Sequence, residues 1–231
     1  MLISLNDLYH ENLSALDGDI GQVKDIYFDD QYWTVRFLVM ETGSWLSERK
    51  VLLSPHAFGS LDRTDKRLQV HLTRQQIQDS PSIDTHKPVS RQYEEEYYRH
   101  YGLPFYWEGE GMWGMSPLPI VILPVEPAVP SDEVPGKEAD SHLRSALVVN
   151  GYGIQANDGS IGHITDFLID DQSWAIRDLV IKTGGWFTDQ EVVIPTSSVE
   201  RIVYDESLVY VRATRESIKH SPSREGVMAG V

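Results

Sequence analysis

The sequence repeats itself at a constant spacing of 141 residues. The segment Asp17–Trp45 (DGDIGQVKDIYFDDQYWTVRFLVMETGSW) returns as Asp158–Trp186 (DGSIGHITDFLIDDQSWAIRDLVIKTGGW), since 158 − 17 and 186 − 45 both equal 141. The same offset relates later dipeptides without a gap: Thr73-Arg74 to Thr214-Arg215, and Ser80-Pro81 to Ser221-Pro222. A self-match of this length indicates a duplicated folding unit, which limits the fold to two copies of one small domain.

Each repeat predicts a meander of short strands that ends in a short helix. Runs of β-branched and aromatic residues alternate with polar turns such as Asp29-Asp30-Gln31, and Thr73 and Thr214 are predicted to cap the closing helices. We therefore predict a mainly all-β fold of two small antiparallel β-barrels in tandem, with a central helix and an aromatic arm. The predicted boundaries are 1–86 for the first repeat, 87–115 for the helix and arm, 116–141 for a proline-rich acidic connector and 142–231 for the second repeat.

The first hairpin of each repeat predicts a pair of opposite charges across two strands. If Asp30 and Gln31 form the tip, residues whose numbers sum to 61 face each other, which places Asp25 opposite Arg36. The equivalent pair in the second repeat is Asp166 with Arg177. Opposite charges on neighbouring strands stabilise a sheet modestly, so we interpret both pairs as structural rather than catalytic.

The charge distribution disfavours nucleic acid and anionic membranes as partners. The net charge is −15, and no part of the chain is basic. Residues 1–81 and 142–231 each carry 8 Lys/Arg against 12 Asp/Glu (−4), and residues 82–141 carry 4 against 11 (−7). Binding to phosphate groups depends on clustered Lys and Arg, so direct nucleic-acid binding is not expected.

Composition also bounds the chemistry and the compartment. There is no cysteine, which excludes a disulfide scaffold, a thiolate zinc site and a cysteine nucleophile. The start of the sequence lacks a signal peptide, and the most apolar stretch, Leu118–Val125, is too short to span a bilayer. We therefore expect a soluble, cytoplasmic protein, with a peripheral association with a membrane left open.

No pattern in the sequence marks a catalytic, metal or cofactor site. The paired aspartates at 29–30 and 170–171 lack the spacing of an EF-hand loop and are explained by turn formation. The glycine pair Gly18 and Gly21 precedes a strand rather than a helix, so it does not form a phosphate loop. The histidines have no counterparts at the 141-residue offset. We expect neither an enzyme nor a bound cofactor or metal.

The repeated motifs resemble a known family, the PRC-barrel domain. The pattern is G-x-I-G-x-V/I-x-D, then W-x-V/I-R-x-L-V, then T-G-S/G-W, within about residues 15–81 and 156–222. The segment from Pro88 to Trp107 also looks like the one that follows the first barrel in bacterial members with two barrels in tandem. The resemblance implies a binding surface rather than a catalyst, and hence a protein-binding adaptor or scaffold.

Two better-understood relatives define the alternatives to a general adaptor. The photosynthetic reaction-centre H subunit carries this domain on a membrane complex, so a peripheral subunit or regulator of a membrane electron-transfer complex is one alternative. A ribosome-maturation factor carries it as a C-terminal module, so an accessory role in RNA processing is another, although the acidic charge disfavours it. The partner is expected to be a protein of unknown identity, and a homodimer is left open.

Aromatic residues provide the candidate contact sites. Trp45 and Trp186 recur in the TGSW and TGGW loops and are predicted to plug the barrels, with a contact surface as the alternative. Tyr106, Trp107 and Trp113 lie in the middle segment, which has no copy in the second repeat, and are the candidate partner-binding residues. The tyrosines at 93, 97 and 101 have helical spacing and are predicted to pack the central helix on the first barrel.

Overall fold

The computed structural model describes most of the chain, in two compact units. The described residues are 1–9, 11–46, 49–58, 67–81, 89, 91–121, 143–184 and 190–229. We call Tyr9–Arg144 with Gln172–Trp174 the first-repeat unit. We call Met1–Leu8, Ser145–Asp171 and Ala175–Val231 the second-repeat unit.

Strands dominate the described secondary structure, as the sequence predicts. In chain order the strands and helices are β1 (Leu2–Ser4), α1 (Leu5–Leu8), β2 (Asn12–Ala15), β3 (Gly18–Asp29), β4 (Thr34–Glu41), β5 (Lys50–Leu53), β6 (Arg67–Gln69), α2 (Arg74–Gln78), α3 (Arg91–His100), β7 (Leu143–Ser145), α4 (Ala146–Val149), β8 (Gly153–Ala156), β9 (Gly159–Asp170), β10 (Ile176–Thr183), β11 (Gln190–Pro195), β12 (Val199–Val203), β13 (Leu208–Val211), α5 (Arg215–Lys219) and α6 (Arg224–Ala229). Short 3-10 turns cover Ser44–Leu46, Pro55–Ala57 and Thr196–Ser198. The bounds of β2, β3 and α2 differ from those of β8, β9 and α5 by 141 residues, so the sequence repeat is also a structural repeat.

Each unit is built on one sheet. The first-repeat unit has the strand order β5-β4-β3-β2-β6 with β7 paired to β3, and the second-repeat unit has the order β11-β10-β9-β8-β13-β12 with β1 paired to β9. The mainly-β prediction is confirmed, but within the described residues neither sheet closes into a barrel. The purely antiparallel arrangement is wrong, since β2 pairs with β6, and β8 with β13, in parallel. In the second repeat, β11 continues through a 3-10 turn into β12 instead of forming a hairpin with it, so the chain direction is not reversed there.

The first strand of each repeat pairs with the long strand of the other repeat. β1 and β7 start and end 141 residues apart, as do α1 and α4. Nevertheless β1 lies on β9, with Leu2 opposite Asp170 and Ser4 opposite Leu168, while β7 lies on β3. Met1–Leu8 therefore belongs to the compact unit that contains β9, and Leu143 and Arg144 belong to the unit that contains β3. Most of the predicted connector, residues 122–141, lies outside the described residues.

The hairpin turn is longer than the sequence predicts. Residues 30–33 form the turn, and Asp29 Oδ1 accepts hydrogen bonds from the backbone N–H groups of Gln31 (2.9 Å) and Tyr32 (3.3 Å). Trp33 adopts a left-handed φ of 50°, and its counterpart Trp174 has a φ of 58°. Because this tryptophan belongs to the turn rather than to the strand, the pairing register moves by two residues or more.

The predicted pairing of Asp25 with Arg36 is therefore wrong. Asp25 lies opposite Val39, and Arg36 is the extra residue of a β-bulge between the pairs Tyr27–Phe37 and Phe28–Val35. The second hairpin has the same register: Asp166 lies opposite Val180, and Arg177 is the bulge residue. Because each arginine is a bulge residue, neither has a partner on the opposite strand, and its side chain does not follow the regular alternation of the strand.

The helix caps follow the sequence prediction. The Thr73 side chain accepts a hydrogen bond from the Gln76 N–H, and the Gln76 side chain accepts one from the Thr73 N–H, which completes a capping box. Thr214 caps α5 by accepting a hydrogen bond from the Ser217 N–H. Both closing helices therefore begin at the predicted threonines.

Candidate functional site

The central helix α3 covers one face of β4. Tyr97 is fully buried and meets Phe37 edge-on, with 5.0 Å between ring centroids, and its hydroxyl accepts a hydrogen bond from the Ser54 N–H at 3.0 Å. Tyr101 is also buried, and the Tyr93 hydroxyl donates to the Pro81 carbonyl at 3.1 Å. These contacts confirm that the tyrosines with helical spacing pack the helix on the sheet. They also explain why seven consecutive residues of β4 are buried, since both faces of the strand are covered.

After α3 the chain reverses and forms the segment that we call the arm, residues 101–121. Gly102 ends the helix with a left-handed φ of 64°, and the Leu103 N–H donates to the Tyr98 carbonyl at 2.8 Å. Further along, the backbone folds tightly on itself: a Cβ atom at Gly109 would lie 2.4 Å from the carbonyl carbon of Gly114. Only glycine permits this approach, so the sequence of the arm determines its compact path.

The arm encloses the Arg36 side chain. The guanidinium lies over the Tyr106 ring at 3.7 Å and over the Trp113 ring at 4.8 Å from the centroids. Its Nη1 donates to the Met112 carbonyl at 2.7 Å, and its Nη2 forms an ion pair with Asp29 Oδ2 at 3.2 Å. Arg36 has no exposed surface, so its charge is balanced inside the protein, by Asp29 at the end of β3 and by the contacts with the arm.

Two of the three candidate partner-binding residues are buried. Tyr106 is 3 % exposed and Trp113 is 1 % exposed. The Trp113 indole N–H donates to the carbonyl of Ser173 at 2.9 Å, within the first-repeat unit. Neither ring is accessible to a partner in this conformation, and both act by fixing Arg36. Trp107, the third candidate, is half-buried.

A second polar network connects the arm to α3. The Tyr106 hydroxyl donates to Glu94 Oε1 at 2.7 Å, and Arg91 Nη1 lies 3.3 Å from Glu94 Oε2. Glu94 is fully buried, and burial, followed by the charge of Glu94, raises the pKa of the Tyr106 hydroxyl far above its usual range. The tyrosine therefore stays protonated and remains a hydrogen-bond donor at every physiological pH.

Beside this network lies a row of stacked arginine and aromatic side chains, which we call the ladder. The Arg91 guanidinium lies 4.2 Å from the Trp107 ring centroid, Trp107 stacks on Phe105 at 4.8 Å, and Arg99 lies 5.8 Å from the Phe105 centroid. All four residues are half-buried. The ladder therefore presents two cations and two aromatic faces that are partly open to a partner.

Next to the ladder the arm exposes a run of apolar side chains, which we call the apolar strip. Its members are Met115 (92 % exposed), Leu118 (44 %), Ile120 (57 %) and Val121 (41 %). The strip begins beside the ladder, because the Cβ position of Gly114 lies 3.0 Å from the Phe105 carbonyl oxygen. Neighbouring exposed apolar residues of this kind mark interaction sites more often than single ones do.

A buried histidine holds the backbone of the strip. His56 Nδ1 lies 2.8 Å from the Ile120 carbonyl, which can only accept, so Nδ1 carries the proton. The ring meets Trp113 edge-on at 4.9 Å. Burial, followed by an opposing hydrogen bond to Ile120 and the nearby Arg36 charge, brings the pKa of His56 to about 4. The histidine is therefore neutral at physiological pH.

The other predicted site residues have structural surroundings. The half-buried Trp45 donates its indole N–H to the Ile20 carbonyl at 2.9 Å and lies under the Arg74 guanidinium. Its counterpart Trp186 lies outside the described residues. Asp166 accepts hydrogen bonds from Ser4 and from Arg224, the latter at 2.8 Å. Among the described residues, no group of His, Asp or Glu side chains is placed to hold a metal ion.

The ladder and the ion pair of Arg36 with Asp29 are not predicted from the sequence. The spacing of Phe105 and Trp107 gave a signal, since two aromatic residues at i and i+2 in a non-helical segment point in one direction. Their arginine partners lie on α3, at positions 91 and 99. That neighbourhood follows from the reversal at Gly102, which the sequence pattern does not specify.

A comparison with known protein families bears on the second repeat. A family model for the PRC-barrel domain matches residues 139–218. This part of the chain contains a PRC-barrel domain. The PRC-barrel is a non-catalytic fold that often takes part in protein interactions. No curated protein matches the chain. Within the described residues, no helix combines the length and apolar character that are needed to cross a membrane.

Proposed function

We propose that the protein is a non-catalytic, cytoplasmic adaptor that binds a protein partner through the ladder and the apolar strip. The PRC-barrel domain at 139–218 supports a binding role. The matching element bounds at a 141-residue offset support a second domain of the same type in the first repeat. The proposal rests mainly on the half-buried ladder. Its arginine and aromatic residues are of the types that dominate binding energy, and they are partly exposed to a partner.

The composition of the ladder fits a binding hot spot. Tryptophan and arginine are enriched among the interface residues whose replacement by alanine weakens binding most, and aromatic residues are enriched at interface cores. The side chains of Arg91 and Arg99 are 26 % and 37 % exposed, so each keeps some surface that a partner can contact. Glu95 lies 3.8 Å from Arg99 and offsets part of its charge. A partner surface with a carboxylate beside apolar side chains would complement this arrangement.

The ladder is held in place before a partner arrives. Trp107 follows Tyr106, which is fixed between Arg36 and Glu94, and its ring meets the Tyr106 ring edge-on at 4.8 Å. A side chain that is already ordered loses little conformational freedom on binding, so more of its contact energy appears as affinity. The buried network thus serves the exposed ladder.

Affinity capture with matched variants tests the proposal. The wild-type protein, Trp107→Ala and Tyr210→Ala are each used as bait in lysate of the native host, and the captured proteins are identified by mass spectrometry. Tyr210 is the control because it is a half-buried aromatic residue of the second-repeat unit, and the exposed Arg201 lies 3.9 Å over its ring. We expect one defined protein with wild type and with Tyr210→Ala, and binding weakened at least about tenfold by Trp107→Ala.

The identity of the captured protein separates the alternatives. A subunit of a membrane electron-transfer complex would support the peripheral role, and a ribosomal protein would support the maturation role. Reconstitution with the purified partner must reproduce the difference between the variants. Equal capture by all three baits, or enrichment of nucleic acid or a metabolite without a protein, would reject binding through the ladder.

A further inference from the structure

The N-terminal segment Met1–Leu8 is a separate docking element. The chain passes from the second-repeat unit to the first-repeat unit between Leu8 and Tyr9. Its strand β1 pairs with the C-terminal end of β9, beyond the part that pairs with β8, and Leu5 and Leu8 of α1 are each 1 % exposed. A short strand and one helical turn therefore complete the sheet and the core of a unit whose remaining residues start at Ser145.

Specific polar contacts recognise this segment. The Ser4 hydroxyl donates to Asp166 Oδ2, and the Asn6 N–H donates to Asp166 Oδ1 at 3.1 Å. The Asn6 side chain donates to the Thr165 carbonyl at 2.9 Å. Arg224 contributes the balancing charge, with its Nη2 at 2.8 Å from Asp166. The acceptor site thus forms hydrogen bonds with side chains of the segment as well as with its backbone.

The equivalent segment of the second repeat keeps a serine, Ser145, in place of Ser4 but lacks the Asn6 side chain. At the 141-residue offset Asn6 corresponds to Leu147 and Asp7 to Val148, both of which are exposed on α4. Leucine cannot donate the hydrogen bond that Asn6 makes to Thr165. The β9 acceptor site therefore makes one more side-chain hydrogen bond to Met1–Leu8 than it could make to the equivalent segment of the second repeat.

We propose that the N-terminal segment of a second copy of this chain occupies the same acceptor site, which produces a strand-exchanged dimer. An exchanged segment makes the same contacts as the chain's own segment, so the two states differ mainly through the tether between Leu8 and Tyr9. A tethered segment has a high local concentration, which favours the monomer when the protein is dilute. Concentrated protein that refolds from denaturant favours the dimer. This inference is independent of the proposed adaptor function.

The absence of native cysteine makes the exchange directly measurable. Leu2 faces Asp170 across the two strands, so a chain with Leu2→Cys and a chain with Asp170→Cys can form a disulfide only when the segment crosses between copies. The two full-length variants are mixed, unfolded together, refolded at high concentration and oxidised. The control replaces Asp170→Cys with Asp158→Cys, which removes the same residue type at an exposed turn that β1 does not contact.

We expect the Leu2→Cys and Asp170→Cys mixture to give several-fold more heterodimer than the control on a non-reducing gel. A chain that carries both substitutions should cross-link internally when it is dilute, which shows that the pair can form a disulfide. Heterodimer at the control level, together with efficient internal cross-linking, would overturn the exchange between copies. Failure of the double variant to cross-link would overturn the strand pairing from which the proposal is argued.

Discussion

Arg36 and Arg177 occupy the same position in the two repeats and have opposite surroundings. Each is the extra residue of a β-bulge in a hairpin of the same register. Arg36 is fully buried, with an ion pair to Asp29 and contacts to two aromatic rings, whereas Arg177 is exposed. The difference comes from the arm, since only the first repeat is followed by a segment that covers this face.

This comparison separates what one repeat needs in order to fold from what was added to it. The bulge, the left-handed tryptophan and the capping threonine occur in both copies. Helix α3 and the arm occur once, and they turn the exposed face of β4 into a second packed layer. The corresponding strand β10 keeps an exposed residue, Arg177, where β4 has none before its last position.

The largest expected effect is the loss of the buried arginine. Arg36→Ala should lower the free energy of unfolding by about 3–5 kcal/mol, because it leaves the Asp29 carboxylate buried without its partner. The matched variant Arg177→Ala should change that free energy by less than about 0.5 kcal/mol, since the side chain is exposed. Urea unfolding followed by far-ultraviolet circular dichroism measures both. Equal effects would show that the bulge, and not the arm, determines the role of the arginine.

Acid should affect the first-repeat unit more strongly than the second. The pKa of His56 is about 4 in the folded protein against 6.5 ordinarily, so between these values only the unfolded chain binds the proton. Stability is complete above pH 6.5 and falls as the pH drops toward 4, by up to about 3 kcal/mol. The second repeat has Ser197 at the position of His56. In the second-repeat unit, burial raises the pKa of the Asp166 carboxyl, so protonation of this group favours the folded state as the pH falls.

Tryptophan fluorescence during urea unfolding measures this pH dependence in the first-repeat unit. Five of the six tryptophans lie in the ranges of that unit. We expect His56→Gln to flatten the profile between pH 6.5 and 4, and His163→Gln, which alters an exposed ring of the second-repeat unit, to leave it unchanged. A profile that keeps its slope in His56→Gln would assign the acid sensitivity to another group.

The smallest expected effects concern helices α1 and α4, which follow strands β1 and β7. Asn6→Leu introduces the second-repeat residue into α1 and should lower the free energy of unfolding by about 1 kcal/mol, because the hydrogen bond to the Thr165 carbonyl is lost. The reciprocal Leu147→Asn should change it by less than about 0.5 kcal/mol, since Leu147 is 55 % exposed. Thermal unfolding of the pair checks the order. A larger loss from Leu147→Asn would point to a packed role for α4.

The sequence was informative where local chemistry decides the structure. The repeat, the turn at Asp29 and the caps at Thr73 and Thr214 were predicted because each depends on residues close together in the chain. The predicted strand register was wrong because nothing in the sequence indicates that Trp33 has a left-handed backbone conformation, which a bulky residue rarely adopts.

The pairing of strands from different repeats was not predicted, for a different reason. Periodicity shows which residues of two repeats are equivalent, but it does not show which copy a strand pairs with, so the exchange of β1 and β7 was invisible. The same limit applies to the candidate site. Tyr106 and Trp113 were singled out for their residue type, yet the position of Arg36 places them inside, and the accessible partners on α3 were not identified.

The pairing of β1 with β9 also has a consequence for biosynthesis. Strand β1 can pair only after residues 168–170 have been made, about 165 residues later in synthesis. At ordinary translation rates of roughly 5–20 residues per second, this interval is on the order of ten to thirty seconds. During that time Ile3, Leu5 and Leu8 have no core to enter. The segment Met1–Leu8 is thus packed long after it is synthesised, and a neighbouring nascent chain could capture it in the interval.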